Sequence, residues 1–227
     1  MRAILYFTVL LSSGVSALAD DASQILKNTE DTYNNLNSYR FEGTTVSETR
    51  MGATDSKSET TFVVAFKPAN EFRIEYVYPA AGNWVRVSDG KTLWKYRSLT
   101  KELNKGPVSD YDLQMLSGSP VGVFSHISQG LANPSVVGSE PVSAGGQSFD
   151  CYVIQAEHPG AMETGNAKAL PVKLWIDKKT HLVLREQSGS VSHGSATTEN
   201  LETITFTRVE VNQPVADDVF QFNRSKK

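Results

Sequence analysis

The chain's stock of groups able to do catalysis or hold a metal is four histidines, one cysteine and 25 Asp and Glu residues. His126, His158, His181 and His193 never form H-x-H or H-E-x-x-H, the spacings that aim two imidazoles at one metal ion. Gly146-Gln147-Ser148-Phe149-Asp150 begins like the G-x-S-x-G elbow of serine hydrolases. It ends in Asp, however, and no strand-to-helix turn is predicted around it. Neither a G-x-x-x-x-G-K-S/T phosphate loop nor G-x-G-x-x-G occurs. Cys151 stands alone, which excludes an intrachain disulfide and a multi-cysteine metal site, and it reads as a small buried apolar residue. The carboxylates include no pair that spacing singles out. No catalytic residue, metal ligand or cofactor is assigned, and a protein without enzymatic activity is expected.

The informative chemistry is apolar, and the elements that carry it follow a simple order. In 227 residues the chain is 39% hydrophobic and 21% charged, with a net charge of −3, so it is globular and slightly acidic. No basic run is longer than the terminal Lys226-Lys227, a poor basis for binding nucleic acid. Arg2, the apolar run Ala3–Leu11 and the small-residue stretch ending Ala17-Leu18-Ala19 read as a cleaved secretory signal over 1–19. The apolar run is about half the ~20 residues a membrane span requires. A single domain over 20–227, soluble in the periplasm, is the expectation. No cysteine follows the cleavage site to carry a lipid anchor.

Asp21-Ala22-Ser23-Gln24 is a helix-start pattern, followed by Ile25, Leu26, Thr29, Tyr33 and Leu36 at roughly helical spacing. From Tyr39 the period changes to two. Phe62, Val64 and Phe66 alternate along one strand, and Phe72, Ile74, Tyr76 and Tyr78 along the next. Asp89-Gly90 predicts a two-residue hairpin turn that places Val85, Val87, Thr92, Trp94 and Tyr96 on a mostly apolar face. Trp84, Arg86, Ser88, Lys91, Leu93 and Lys95 fall on the other. Between Lys105 and Asn133, Gly and Pro punctuate one or two short helices carrying Leu113, Met115, Phe124 and Ile127. Strands resume near 135–142, 148–157, 172–176, 181–187, 201–211 and 219–222, with longer loops over 160–169 and 188–198. About 10–12 strands in one antiparallel sheet must curl to bury an apolar face. The predicted fold is α+β, a strongly curved half-barrel sheet wrapped around an N-terminal helix and a short helical insert. Periodicity alone makes the aromatic faces a dry core; a carrier requires an open cavity there.

Val87-Ser88-Asp89-Gly90-Lys91-Thr92-Leu93-Trp94 resembles the hairpin of the periplasmic outer-membrane lipoprotein carrier (LolA-like) family. Lys67-Pro68 followed by Phe72 through Pro79 is similar to that family's basic-Pro, aromatic strand, Pro run. Leu174-Trp175-Ile176-Asp177 with Leu182-Val183-Leu184-Arg185 resembles its later strand pair, and Val219-Phe220-Gln221-Phe222 its closing F-x-F. The resemblance implies an unclosed half-barrel with helices as a lid and a cavity between them for acyl chains. The residues expected to line that cavity are Phe62, Phe72, Ile74, Tyr76, Val85, Val87, Trp94, Tyr96, Leu113, Met115, Phe124 and Ile127. Lys67 stands where the carriers have an arginine that latches the lid. The chain ends five residues after Phe222, where the carriers continue, so a divergent lipid-binding relative is expected.

The function this implies is a monomeric periplasmic carrier that shields acyl chains of a lipoprotein or a free lipid between an inner-membrane donor and an outer-membrane acceptor. The alternative is a non-catalytic lipid-sensing module that docks on an envelope partner, as the related half-barrel does in an anti-sigma-factor-binding protein. A hydrolase or isomerase in the same pocket would need a titrating group on the apolar strands, which offer only tyrosines.

Overall fold

In the computed structural model, which describes residues 17–159, 166–194 and 196–223, α1 (Ala17–Asn34) begins four residues before the capping site at Asp21. Of the expected signal over 1–19, residues 1–16 lie outside the described residues. Six strands follow in meander: β1 (Tyr39–Met51), β2 (Thr54–Lys67), β3 (Glu71–Tyr78), β4 (Gly82–Asp89), β5 (Thr92–Arg97) and β6 (Glu102–Pro107). The insert folds as α2 (Asp110–Ser117), a 3-10 turn (Gly122–His126) and α3 (Ile127–Gly130). The second run is β7 (Ala132–Ala144), β8 (Gln147–Glu157), β9 (Ala167–Ala169), β10 (Val172–Asp177), β11 (Val183–His193) and β12 (Thr197–Val211).

All pairings are antiparallel, in the order β6-β5-β4-β3-β2-β1-β12-β11-β10-β8-β7, with β9 paired to β11 off that path. The sheet is open, edged by β6 and β7, and curved, so the expected half-barrel of 10–12 strands is present. The long central pair β1–β12 joins the two meanders and carries a bulge between Glu42 and Gly43. A bulge bends its strand and adds twist, which helps the sheet curl here. Gly43 is required at that bend: a Cβ would lie 2.5 Å from Phe62 Cζ and 2.5 Å from Thr205 O.

Three local expectations need correction. The turn at Asp89-Gly90 is wider than two residues, with Ser88 pairing Leu93 and Val87 pairing Trp94. Asp89 Oδ1 accepts from the backbone N–H groups of Lys91 (3.0 Å) and Thr92 (2.7 Å), closing an Asx turn in place of the tight hairpin. The partner shift is two residues, so the two faces of the hairpin stay as assigned. Residues 188–198, read as a loop, are mostly the β11–β12 hairpin; serine and threonine in alternation hide a strand that has few apolar residues. Residues 219–222 form no strand: Asp217–Phe220 is a 3-10 turn.

The core lies on the concave face, where Ala22, Ile25, Leu26 and Tyr33 of α1 meet Phe41, Phe62, Val64, Leu174, Ile176 and Phe206 of the sheet, with Phe124 and Ile127 beside them. No helix among the described residues is long and apolar enough to cross a membrane.

Candidate functional site

Cross-strand register fixes which side chains share the concave face, because directly paired residues point the same way. Phe66 pairs Phe72, Val64 pairs Ile74 and Phe62 pairs Tyr76. Phe72 in turn faces Ser88, Ile74 faces Arg86 and Tyr76 faces Trp84. The next step adds Leu93, Lys95 and Arg97. Burial falls along this face, from Phe72 at 0% and Phe62 at 2% exposure to Tyr78 at 40%. The aromatic rings are continuous: Phe62–Tyr76, Tyr76–Tyr78 and Tyr76–Trp84 centroids are 6.5, 6.1 and 5.7 Å apart.

Of the residues predicted to line a cavity, the structure brings Phe62, Phe72, Ile74 and Tyr76 to the concave face, with Phe124 and Ile127 packed over it and Leu113 and Met115 of α2 against it. Val85, Val87, Trp94 and Tyr96 are on the opposite, convex face. Alternation along the hairpin was read correctly, but hydrophobicity chose the wrong face as the inner one. The apolar convex face is covered by the C-terminal segment: Phe222 packs edge-on to Tyr96, and Arg73 donates to the Val219 carbonyl at 3.2 Å. Lys67 is on that side too. It pairs with Glu71 (3.1 Å) and Asp217 and lies 5.0 Å from the Phe220 ring, so it fastens the C-terminal segment and not a lid.

The space between α1 and the sheet is filled by rings. Tyr33–Phe124, Phe41–Phe206 and Phe62–Phe206 centroids lie 5.1, 5.5 and 5.7 Å apart. Tyr33 closes the layer by accepting from Val183 N–H at 3.2 Å, and burial pushes its phenol far above the usual range. The hollow of the carrier expectation is therefore filled by the protein's own side chains. The open part of the concave face is its end, where the stripe runs out past Tyr76 to Trp84 and Tyr78.

The insert has a latch that sequence reasoning missed. Ser109 caps α2 in a reciprocal capping box with Asp112, itself 3% exposed. Asp112 Oδ1 lies 2.7 Å from Lys95 Nζ and 3.7 Å from Arg86 Nη1, both on the concave face. Burial pushes this carboxyl up, but hydrogen bonds from Lys95 and Ser109 outweigh it and hold the group below its ordinary value. Leu113, Met115 and Leu116 of α2 then pack toward Phe72, Ile74 and Leu93. The available signal was the Ser109-x-x-Asp112 spacing; nothing in the hairpin's own sequence marks the face that carries Arg86 and Lys95 as the inner one.

Glu186 also faces inward, paired with Ile204 on β12 and Leu174 on β10. It forms no hydrogen bond or ion pair among the described residues, and burial, reinforced by the charge of Glu202, pushes its carboxyl up to about 7. Because the folded state holds this proton more tightly, the associated stability is fully present below the unfolded value near 4.5 and is lost as pH rises to about 7. Glu186→Gln should raise stability by about 2–3 kcal/mol at about pH 8 and hardly at about pH 4. Denaturant titrations at the two pH values check this; an equal effect at both contradicts it.

Burial raises the Cys151 thiol to about 11, so it is not a nucleophile at neutral pH. No group of His, Cys, Asp and Glu able to hold a metal ion occurs among the described residues.

No family model matches the chain, and no curated protein matches it. Among solved structures, LprF from Mycobacterium bovis aligns over 88% of this chain and 96% of its own, with 14% identity and a TM-score of 0.50. The Mycobacterium tuberculosis lipoprotein LppX aligns over 88% and 99%, with 16% identity and a TM-score of 0.46. The LolA superfamily protein NE2245 from Nitrosomonas europaea aligns over 88% and 97%, with 11% identity and a TM-score of 0.34. The chain shares the fold of LprF.

Proposed function

We propose that this protein binds the acyl chain of a lipid or lipoprotein on its concave face and carries it through the bacterial envelope without catalysis. The observation that supports this reading is the aromatic stripe that begins buried at Phe72 and Phe62 and emerges at Tyr76, Trp84 and Tyr78. A chain laid along it loses water at about 0.8 kcal/mol per methylene, so affinity requires no polar chemistry and release requires only that the chain slide out. Deeper entry requires α2 to lift, which breaks the contacts of Asp112 with Lys95 and Arg86. The carrier then works as a monomer between a membrane donor and a membrane acceptor.

Delipidated protein should take up a fluorescent fatty acid with one site per molecule, and organic extraction of freshly purified protein should yield acyl ligand. Absence of uptake by the delipidated protein overturns the proposal.

A further inference from the structure

The stripe ends at a cleft of about 420 Å³ between the β3–β4 and β5–β6 turns, whose wall includes Tyr78, Asn83, Trp84, Arg97 and Leu99. That volume lies within the ~300–1,000 Å³ typical of ligand sites. Leu99 is 71% exposed and Tyr78 40%, so an apolar rim is held open to solvent. The same end of the concave face is cationic. Arg97 pairs in register with Trp84, and the next positions on that face are Lys95 and Arg86.

Two carboxylates face these three cations. Asp112 engages Lys95 and Arg86, while Glu102, across from Arg97, accepts a hydrogen bond from Asn104 at 2.8 Å. Arg97 forms no ion pair among the described residues. The guanidinium of Arg86 lies 4.9 Å from the Trp84 ring; its Nη1 faces Asp112 Oδ1 at 3.7 Å, and its Nε is buried without a hydrogen-bond partner. A buried donor without an acceptor is costly, and an anionic oxygen entering beside Trp84 would relieve it.

We propose that this cleft receives the anionic headgroup of the bound amphiphile, a phosphate or carboxylate held by Arg97 with Arg86 behind it, while the acyl chain runs inward over Trp84 and Tyr76. The inference rests on the acyl-binding reading and adds selectivity to it: the ligand is an anionic lipid. A guanidinium suits such a group because its planar fork presents paired donors to two oxygens.

The test compares lysophosphatidylglycerol, oleate and uncharged monooleoylglycerol as competitors of a fluorescent acyl probe, in the native chain, Arg97→Gln and Arg97→Lys. Arg97 is exposed, so its replacement leaves the fold intact. Both anionic competitors should bind about tenfold tighter than the uncharged one, and Arg97→Gln should erase most of that preference while Arg97→Lys keeps part of it. Equal binding of all three, or a preference unaffected by Arg97→Gln, overturns the headgroup site and leaves acyl binding standing. Failure of every competitor and of the probe itself overturns both. Inorganic phosphate alone should bind at least a hundredfold more weakly than the lysolipid; comparable binding would make this a free-anion site and overturn the lipid assignment.

Discussion

Asp112→Ala should detach α2 from the sheet at a cost of about 3 kcal/mol in overall stability. The substitution removes the acceptor that Lys95 and Arg86 share and leaves the Arg86 side chain, 14% exposed, without a counter-charge. It also dismantles half of the capping box, worth about 1 kcal/mol by itself. Lys95 is 39% exposed and recovers part of its hydration, which keeps the total below that of a fully buried pair. The effect should be local. Amide exchange over Asp110–Ser117 should accelerate strongly, while β1 and β12 keep their protection. Asp112→Asn, which can still accept from Ser109, should fall between the native chain and the alanine variant. If the lid role is correct, the alanine variant also takes up acyl probe faster. Unchanged exchange in α2 would show that the apolar contacts of Leu113 and Leu116 alone hold it.

Phe62→Ala should destabilise by about 3–5 kcal/mol, the range for deleting a buried aromatic ring. Phe62 is 2% exposed, meets Phe206 edge-on at 5.7 Å, and has its ring tip against the position that Gly43 leaves empty. None of these neighbours can collapse easily into the vacated space, because Gly43 sits in a bulge of the central strand pair. The vacated volume is apolar and continuous with Tyr76, so it should stay dry and be available to a ligand. The variant is therefore expected to lose stability yet bind long acyl chains at least as tightly as the native chain. Urea unfolding and probe titration on the same sample check both halves. A loss of acyl affinity in a variant that remains folded would place the chain elsewhere.

How far the sequence could be read depended on which interaction decided each feature. Alternation along Phe72, Ile74, Tyr76 and Tyr78 is local, and it correctly predicted a half-buried strand with one aromatic face. The division of the β4–β5 hairpin into two faces was equally legible, and survived a turn wider than Asp89-Gly90 suggests because the slip was even. The inner face of that hairpin was not legible. It depends on the pairing of Phe72 with Ser88 and on a C-terminal segment, Asp217 to Phe222, that returns along the outside of β3 and β4 and packs on Tyr96. An apolar strand face states only that something covers it. For the same reason the face carrying Arg86 and Lys95 was not legible as the inner one, although one carboxylate, Asp112, engages both under a helix. The position of Glu186 also escaped, since a strand glutamate between Arg185 and Gln187 carries no mark of pointing inward.

The most direct test of acyl binding on the concave face uses the tryptophans, of which the chain has three. Trp84 is on the concave stripe, Trp94 on the convex face and Trp175 in a separate cluster with Cys151 and Leu184. Fluorescence quenching by a dibrominated stearate should be measured in two variants, one with Trp94→Phe and Trp175→Phe, the other with Trp84→Phe and Trp175→Phe. The first, retaining Trp84, should be quenched saturably, and the second, retaining Trp94, should not. Saturable quenching of Trp94, with Trp84 unaffected, would put the lipid on the outside of the sheet and contradict the account.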